Sequence, residues 1–145
     1  LHGIESVSLR FFNVYGPHLD PEGAYALVIG RFLKLRKEGK PLTITGDGEQ
    51  ARDFVHVRDV VDAIIRAGNA EHVGKGDVFN VGTGQDVSIN TLAQLIGGPI
   101  EYVPARVEPR FTRADSTRLR EVLGWHPSVS LEEGIIELKR IFQIT

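Results

Sequence analysis

The sequence has no cysteine, so it forms no disulfide and offers zinc no thiolate, while its redox compartment stays open. It lacks methionine as well, even at position 1. A stand-alone gene product begins with methionine or is trimmed after it, so the expectation is a piece of something longer. No apolar run approaches the roughly 20 residues of a membrane span, and no signal peptide is visible. Cytoplasm is the default expectation, with no membrane partner. The 17 basic residues are scattered and the net charge is -2, so the basic face of a nucleic-acid binder is missing and no such partner is expected. His2, His18, His56, His72 and His126 show no spacing typical of metal ligands, and no metal is expected. Serines are present without a nucleophile elbow. A Tyr-x-x-x-Lys pair is absent too, because Leu19, Ile29 and Arg106 stand four residues after Tyr15, Tyr25 and Tyr102. There is no internal repeat, low-complexity tract or linker.

What remains is 145 residues, 41% hydrophobic and 25% charged, the make-up of one ordinary domain with a real core. Ser6 to Phe12 reads as a strand, broken at Asn13-Val-Tyr-Gly-Pro17. Apolar residues at 25, 28, 29, 32, 33 and 35 predict a helix from Ala24 to Glu38, stopped by Gly39 and Pro41. Short strands follow at Leu42 to Thr45 and around Asp53 to Val57. Asp59 is placed to cap a helix to about Ala70, with Val60, Val61, Ile64, Ile65 and Ala67 as its core face. Asp77 to Val81 is a strand ending in Gly82-Thr83-Gly84. Ser88 caps a helix through about Ile96, and Ile100 to Val103 is a strand. An arginine-rich irregular segment leads to a short helix capped by Asp115 or Ser116 and closed at Gly124. Ser130-Leu-Glu-Glu133 is a capping box for a last helix that buries Leu131, Ile135, Leu138 and Phe142. Strands and helices intermix throughout, so the class is α/β, with mixed short strands and about five helices.

The stretch Gly46 to Asp59 organises the rest. A glycine turn delivers Arg52 into a strand, and a fixed guanidinium suits phosphate because its fork meets two oxygens at once. The competing possibility is a surface pair with Glu49, Asp53 or Asp59. Asp53 fits a structural role, fixing the turn or Arg52. Gly46-x-Gly48-x-x-Ala51 matches a dinucleotide fingerprint, but that fingerprint needs a helix after it, and Arg-Asp-Phe-Val-His-Val reads as strand. The match is a decoy. Asn13 is a polar amide at the carboxyl end of a strand, either ligand-binding or a turn residue. Arg106, Arg110 and Arg113 either solvate a loop or close over an anion.

Together, Leu9-Arg-Phe-Phe-Asn-Val-Tyr-Gly-Pro17, Gly46-Asp-Gly-Glu-Gln-Ala-Arg-Asp-Phe-Val-His-Val57 with Asp59, Phe79-Asn-Val-Gly-Thr-Gly84, Ala114-Asp115 and Leu123-Gly-Trp-His-Pro127 resemble the C-terminal half of extended short-chain dehydrogenases/reductases. The branch they resemble is the NAD-dependent nucleotide-sugar epimerases of the UDP-glucose 4-epimerase type. The resemblance implies the C-terminal, substrate-binding portion of an extended Rossmann-type enzyme, with residues 1–145 as the nucleotide-sugar-binding domain. The NAD-binding Rossmann domain and the Tyr-x-x-x-Lys pair would then lie outside this chain, leaving it inert alone. It further implies that Asn13, Val28, Phe32, Thr43, Thr45, Arg52, Arg106 and Glu108 bind substrate, Arg52 and Arg106 taking the diphosphate. Phe12 and Asn13 would approach the nicotinamide. Three positions depart from the pattern: Thr45 replaces a frequent aromatic, Gly30 a frequent proline, and the Arg106-Val-Glu108 segment is one residue short. Alternatives within reach are a nucleotide-sugar 4,6-dehydratase and a stand-alone binding or interaction module. The strand Val7 to Phe12 has one evident partner, Val78 to Val81, so self-association or domain swapping is expected.

Overall fold

A computed structural model describes residues 3–23 and 27–144. The first residues expected in the first helix, Ala24, Tyr25 and Ala26, lie outside the described residues, as does His2. Nine strands and five helices alternate along the described chain. The strands are β1 (Ser6–Phe11), β2 (Val14–Tyr15), β3 (Leu42–Thr45), β4 (Ala51–Arg52), β5 (Val55–His56), β6 (Lys75–Val81), β7 (Val87–Ser88), β8 (Ile100–Val103) and β9 (Phe111–Thr112). The helices are α1 (Val28–Lys37), α2 (Val57–Asn69), α3 (Ile89–Ile96), α4 (Thr117–Leu123) and α5 (Leu131–Phe142). The class is α/β, as expected.

The strands pair in small sheets, mostly parallel, between segments far apart in sequence. β1 runs parallel to β6 with Ser8 opposite Val78 and Phe11 opposite Val81, the partner the sequence pointed to. β2 pairs with β5 and β3 with β8, both parallel. β4 sits between antiparallel β7 and parallel β9. Two cores result. One gathers Phe32 and Leu33 of α1, Ile44 of β3, Leu92 of α3 and Leu138 of α5. The other gathers Val60 of α2, Phe79 of β6, Leu119 of α4 and Trp125.

Several elements form for the reasons their sequences suggest. The Ser88 hydroxyl accepts from the Thr91 amide and opens α3, and Ser130 with Glu133 makes the reciprocal capping box of α5. In β3, Leu42 and Ile44 are buried while Thr43 and Thr45 are half-exposed. A strand's period of two therefore turns both threonines to one face.

Others differ. The expected strand at 53–57 is two short strands interrupted at Asp53 and Phe54, and helix begins already at Val57. Asp59 is not the cap of α2. His56 is, its Nδ1 accepting from the Arg58 amide at 3.2 Å. Asp59 is instead buried, and its carboxylate accepts from the Ser128 amide (2.9 Å), the Ser128 hydroxyl (2.6 Å) and the Val129 amide (3.2 Å). Its carbonyl accepts from the Trp125 indole at 2.9 Å, so one residue anchors the whole approach to α5. The expected core face of α2 holds only in part. Val60 is buried with Ala63 and Asp59, and Ala67 packs on the same core, whereas Val61, Ile64 and Ile65 are 47%, 48% and 54% exposed. The inward face is chosen by Asp59's partners rather than by the larger apolar side chains. Before α4, Asp115 accepts from the Thr117 amide, while the buried Ser116 hydroxyl donates to the Gly82 carbonyl at 2.7 Å and caps nothing. Among the described residues no helix is long and apolar enough to cross a membrane.

Candidate functional site

Arg52 reaches its position through the turn before it. Gly48 has φ +75°, and a Cβ there would sit 2.0 Å from the Asn90 amide oxygen, so only glycine lets the turn close against α3. Gln50 then donates to the Thr45 carbonyl at 2.9 Å, tying the end of the turn back to β3. With Ala51 buried, strand alternation turns Arg52 the other way, into a hollow of about 200 Å³.

Asp53, next in line, is fully buried and does not touch Arg52. One carboxylate oxygen accepts from the Thr83 amide (2.9 Å) and hydroxyl (2.6 Å). The other accepts from the Gly84 amide (2.9 Å) and the Ala114 amide (3.0 Å). Gly82 allows this approach, since a Cβ there would stand 2.5 Å from that of Ala114. Asp53 thereby fastens the turn after β6, and the chain after β9, to β4.

In the hollow, Arg52 is held on two sides. Nη1 donates to its neighbour's carbonyl at 2.8 Å and Nη2 to Glu108 at 2.6 Å. The Arg52 side chain is 14% exposed and that of Glu108 23%. The second Glu108 oxygen lies 3.5 Å from Nε of Arg106, whose side chain is 65% exposed. None of the pairings weighed for Arg52 from sequence occurs; its partner comes from 56 residues away. Two guanidinium groups thus converge on one carboxylate at the wall of an open hollow. A carboxylate in that place presents its two oxygens as a phosphate would, and phosphate satisfies arginine forks in the same bidentate way.

All eight expected substrate-binding residues line this hollow: Asn13, Val28, Phe32, Thr43, Thr45, Arg52, Arg106 and Glu108. Asn13 spends one amide hydrogen on the Asp53 carbonyl at 2.8 Å, leaving its other hydrogen and its oxygen for the hollow. Phe12, expected near a nicotinamide, is half-buried with its amide on the Val81 carbonyl, and does not line it. The arginine-rich segment divides. Arg106 faces the hollow, Arg110 pairs with Asp47 at 2.9 Å, and Arg113 lies 3.7 Å from Asp86. The Glu49 amide and Arg110 hold the Asp47 carboxyl below its usual range.

Leu27, Arg31, Leu35, Gln50 and Ile89 complete the lining and were missed from sequence. Helical spacing gave a signal for Arg31 and Leu35, which fall on the face of Val28 and Phe32. Gln50 and Ile89 carried none, because their places depend on the turn packing against α3.

Among the described residues, neither glycine segment makes a dinucleotide cradle. The Gly46-to-Ala51 loop leads into β4, so no helix N-terminus faces a pyrophosphate, and the amides of Thr83 and Gly84 are taken by Asp53. Among the described residues no group of three metal-ligating side chains forms.

The sequence pattern of a family described as the NAD dependent epimerase/dehydratase family matches residues 1–82. A UDP-glucose 4-epimerase of Mycolicibacterium smegmatis is 44% identical over 99% of this chain and 47% of its own length. A UDP-N-acetyl-alpha-D-glucosaminuronate decarboxylase of Bacillus cytotoxicus is 35% identical over 99% of this chain and 48% of its own length. The crystal structure of UDP-glucose 4-epimerase with UDP-glucose from Thermotoga maritima superposes with a TM-score of 0.86 at 39% identity, covering 98% of this chain and 47% of that one. The chain spans about half the length of the relatives it matches. With a matched segment of that extent, relatives alike in sequence and backbone over nearly every residue, and the sequence resemblance pointing the same way, the chain belongs to the NAD dependent epimerase/dehydratase family of nucleotide-sugar enzymes.

Proposed function

We propose that these 145 residues form the nucleotide-sugar-binding part of an NAD-dependent UDP-sugar 4-epimerase, and that they turn over nothing alone. The observation that carries the proposal is the convergence of Arg52 and Arg106 on Glu108 at the hollow. Where Arg52 and Arg106 meet, they outnumber the single carboxylate Glu108, so that end of the hollow favours an anion such as a diphosphate diester. Asn13 adds an uncharged donor beside them, and Val28, Phe32 and Leu35 supply apolar wall for the base and ribose. The diphosphate is the handle whose binding energy orients the sugar.

Hydride exchange at the sugar C4 is the part NAD supplies when bound, and these glycine segments do not fit a dinucleotide. The proposal assigns that cradle, and a catalytic tyrosine and lysine, to chain beyond these residues. The 44% identity to a 4-epimerase supports epimerisation. The residues on the hollow grip only the nucleotide and suit dehydratase or decarboxylase chemistry equally. The outer edge of β1, which among the described residues pairs only through β6, supports self-association or a domain-swapped dimer.

Calorimetric titration with UDP, dTDP and GDP tests the binding proposal, with a sugar-turnover assay alongside. Binding of UDP without turnover is the expected result. Absence of UDP binding refutes the grip, and turnover by the chain alone refutes its inertness.

A further inference from the structure

The lining of the hollow extends past the arginine pair, and its two ends differ. At one end, Thr45, Gln50, Arg106 and Glu108 are shared with an adjoining depression that also contains Asp47 and Arg110. At the other, Arg31, Leu35 and Thr43 are shared with a second depression, lined by Glu22, Lys34, Glu38 and Lys40. β3 connects the two, with Thr43 and Thr45 on one face about 7 Å apart along the strand.

Arg31 stands out at the end away from Arg106. It is exposed on α1, on the same face as Val28 and Leu35. It makes no ion pair or side-chain hydrogen bond with any described residue. The two carboxylates of the adjoining depression are already engaged, Glu22 by Lys34 and Glu38 by Lys40. A guanidinium with five donors and no acceptor therefore borders apolar wall at the end of the hollow away from the arginine pair.

On the proposal that the arginine pair takes the diphosphate, the base lies toward Arg31. A pyrimidine joins its ribose through N1, with O2 next to that bond and the C4 substituent across the ring. The group that meets the end of the hollow is then the C4 substituent, a carbonyl in uracil and thymine and an amino group in cytosine. We infer that Arg31 is a specificity-determining residue, which donates to the C4 carbonyl and selects uridine and thymidine diphosphates over cytidine diphosphate. Against cytosine, donor faces donor and the guanidinium must lose hydration without return. Such mismatches discriminate more strongly than added or missing apolar volume.

The test is calorimetric titration of the 145-residue chain with UDP, CDP and inorganic pyrophosphate. Arg31→Met keeps the length and helix propensity of an exposed side chain, and Arg31→Lys keeps the charge without the fork. The native chain prefers UDP over CDP by about tenfold or more, the effect of one charge-assisted hydrogen bond. Arg31→Met removes that preference by weakening UDP alone, leaves pyrophosphate unchanged, and Arg31→Lys falls between. Equal weakening of UDP, CDP and pyrophosphate by Arg31→Met overturns the inference, because the side chain then acts only as charge. A preference that survives the substitution overturns it as well. In both cases UDP binding by the native chain leaves the diphosphate grip standing, whereas a native chain that binds no UDP overturns both.

Discussion

Replacing Asp53 by asparagine changes almost no volume, yet the structure makes it a severe substitution. Four donors converge on the carboxylate, two on each oxygen: the Thr83 amide and hydroxyl on one, the Gly84 and Ala114 amides on the other. An asparagine has one acceptor oxygen, so whichever way the amide turns, its NH2 faces two donors. The Thr83 hydroxyl has a second acceptor in the Gln85 carbonyl, so the amide settles with its oxygen on the Gly84 and Ala114 amides and its NH2 toward Thr83, where the Thr83 amide has no alternative. One orphaned buried donor gives a destabilisation of about 1–3 kcal/mol. Against a total of about 5–15 kcal/mol that is a substantial share. With a urea slope of about 1–3 kcal/mol per molar, the unfolding midpoint falls by about 0.5 M or more. Equilibrium urea unfolding of Asp53→Asn beside the native chain measures it. A midpoint lowered by less than about 0.3 M at an unchanged slope refutes the claim that this carboxylate fastens three segments together.

Two further predictions concern other elements. His56 is fully buried, caps α2 through Nδ1 and contacts Glu137 through Nε2 at 3.1 Å; burial first, then the Arg58 charge, hold its imidazole below the ordinary value. A base with a lowered folded value takes up its proton earlier in the unfolded chain. Stability is therefore full above about pH 6.5 and lost as pH falls below it toward the folded value. Urea midpoints should drop between pH 7.5 and pH 5.5 in the native chain and flatten in His56→Asn, and a higher native midpoint at pH 5.5 contradicts this. Light scattering should find a dimer or larger species, from the outer edge of β1 and the exposed Val61, Ile64 and Ile65 of α2; a clean monomer contradicts that.

Local chemistry made much of the fold legible. Ser88 and Ser130 cap helices through contacts within three residues, and β3 and β8 announce themselves by composition and length. The stretch from Asp53 to Asp59 was the hardest to read, because its conformation is set from far away. Asp53 answers to Thr83 and Ala114, and Asp59 to Ser128 and Trp125, 69 and 66 residues on. A carboxylate that starts a helix in sequence looks the same whether it caps the first turn or anchors a distant loop. Of the expected apolar face of α2, Val60 and Ala67 meet the core and Val61, Ile64 and Ile65 do not, for the same reason: periodicity locates a stripe, while Asp59's distant donors decide which side turns inward. In the candidate site, the positions expected from family resemblance came together in one hollow, yet the partner of Arg52 was out of reach of local reasoning. Glu108 is brought to it by the parallel pairing of β4 with β9, which no window around Arg52 contains.

The central claim is that Arg52 binds a diphosphate, and the most direct measurement compares UDP with uridine on the native chain and on Arg52→Ala. The native chain should bind UDP more tightly than uridine, and the substitution should reduce that advantage by about tenfold or more while leaving uridine nearly unchanged. An advantage that persists in Arg52→Ala, or a loss shared equally by UDP and uridine, contradicts the account.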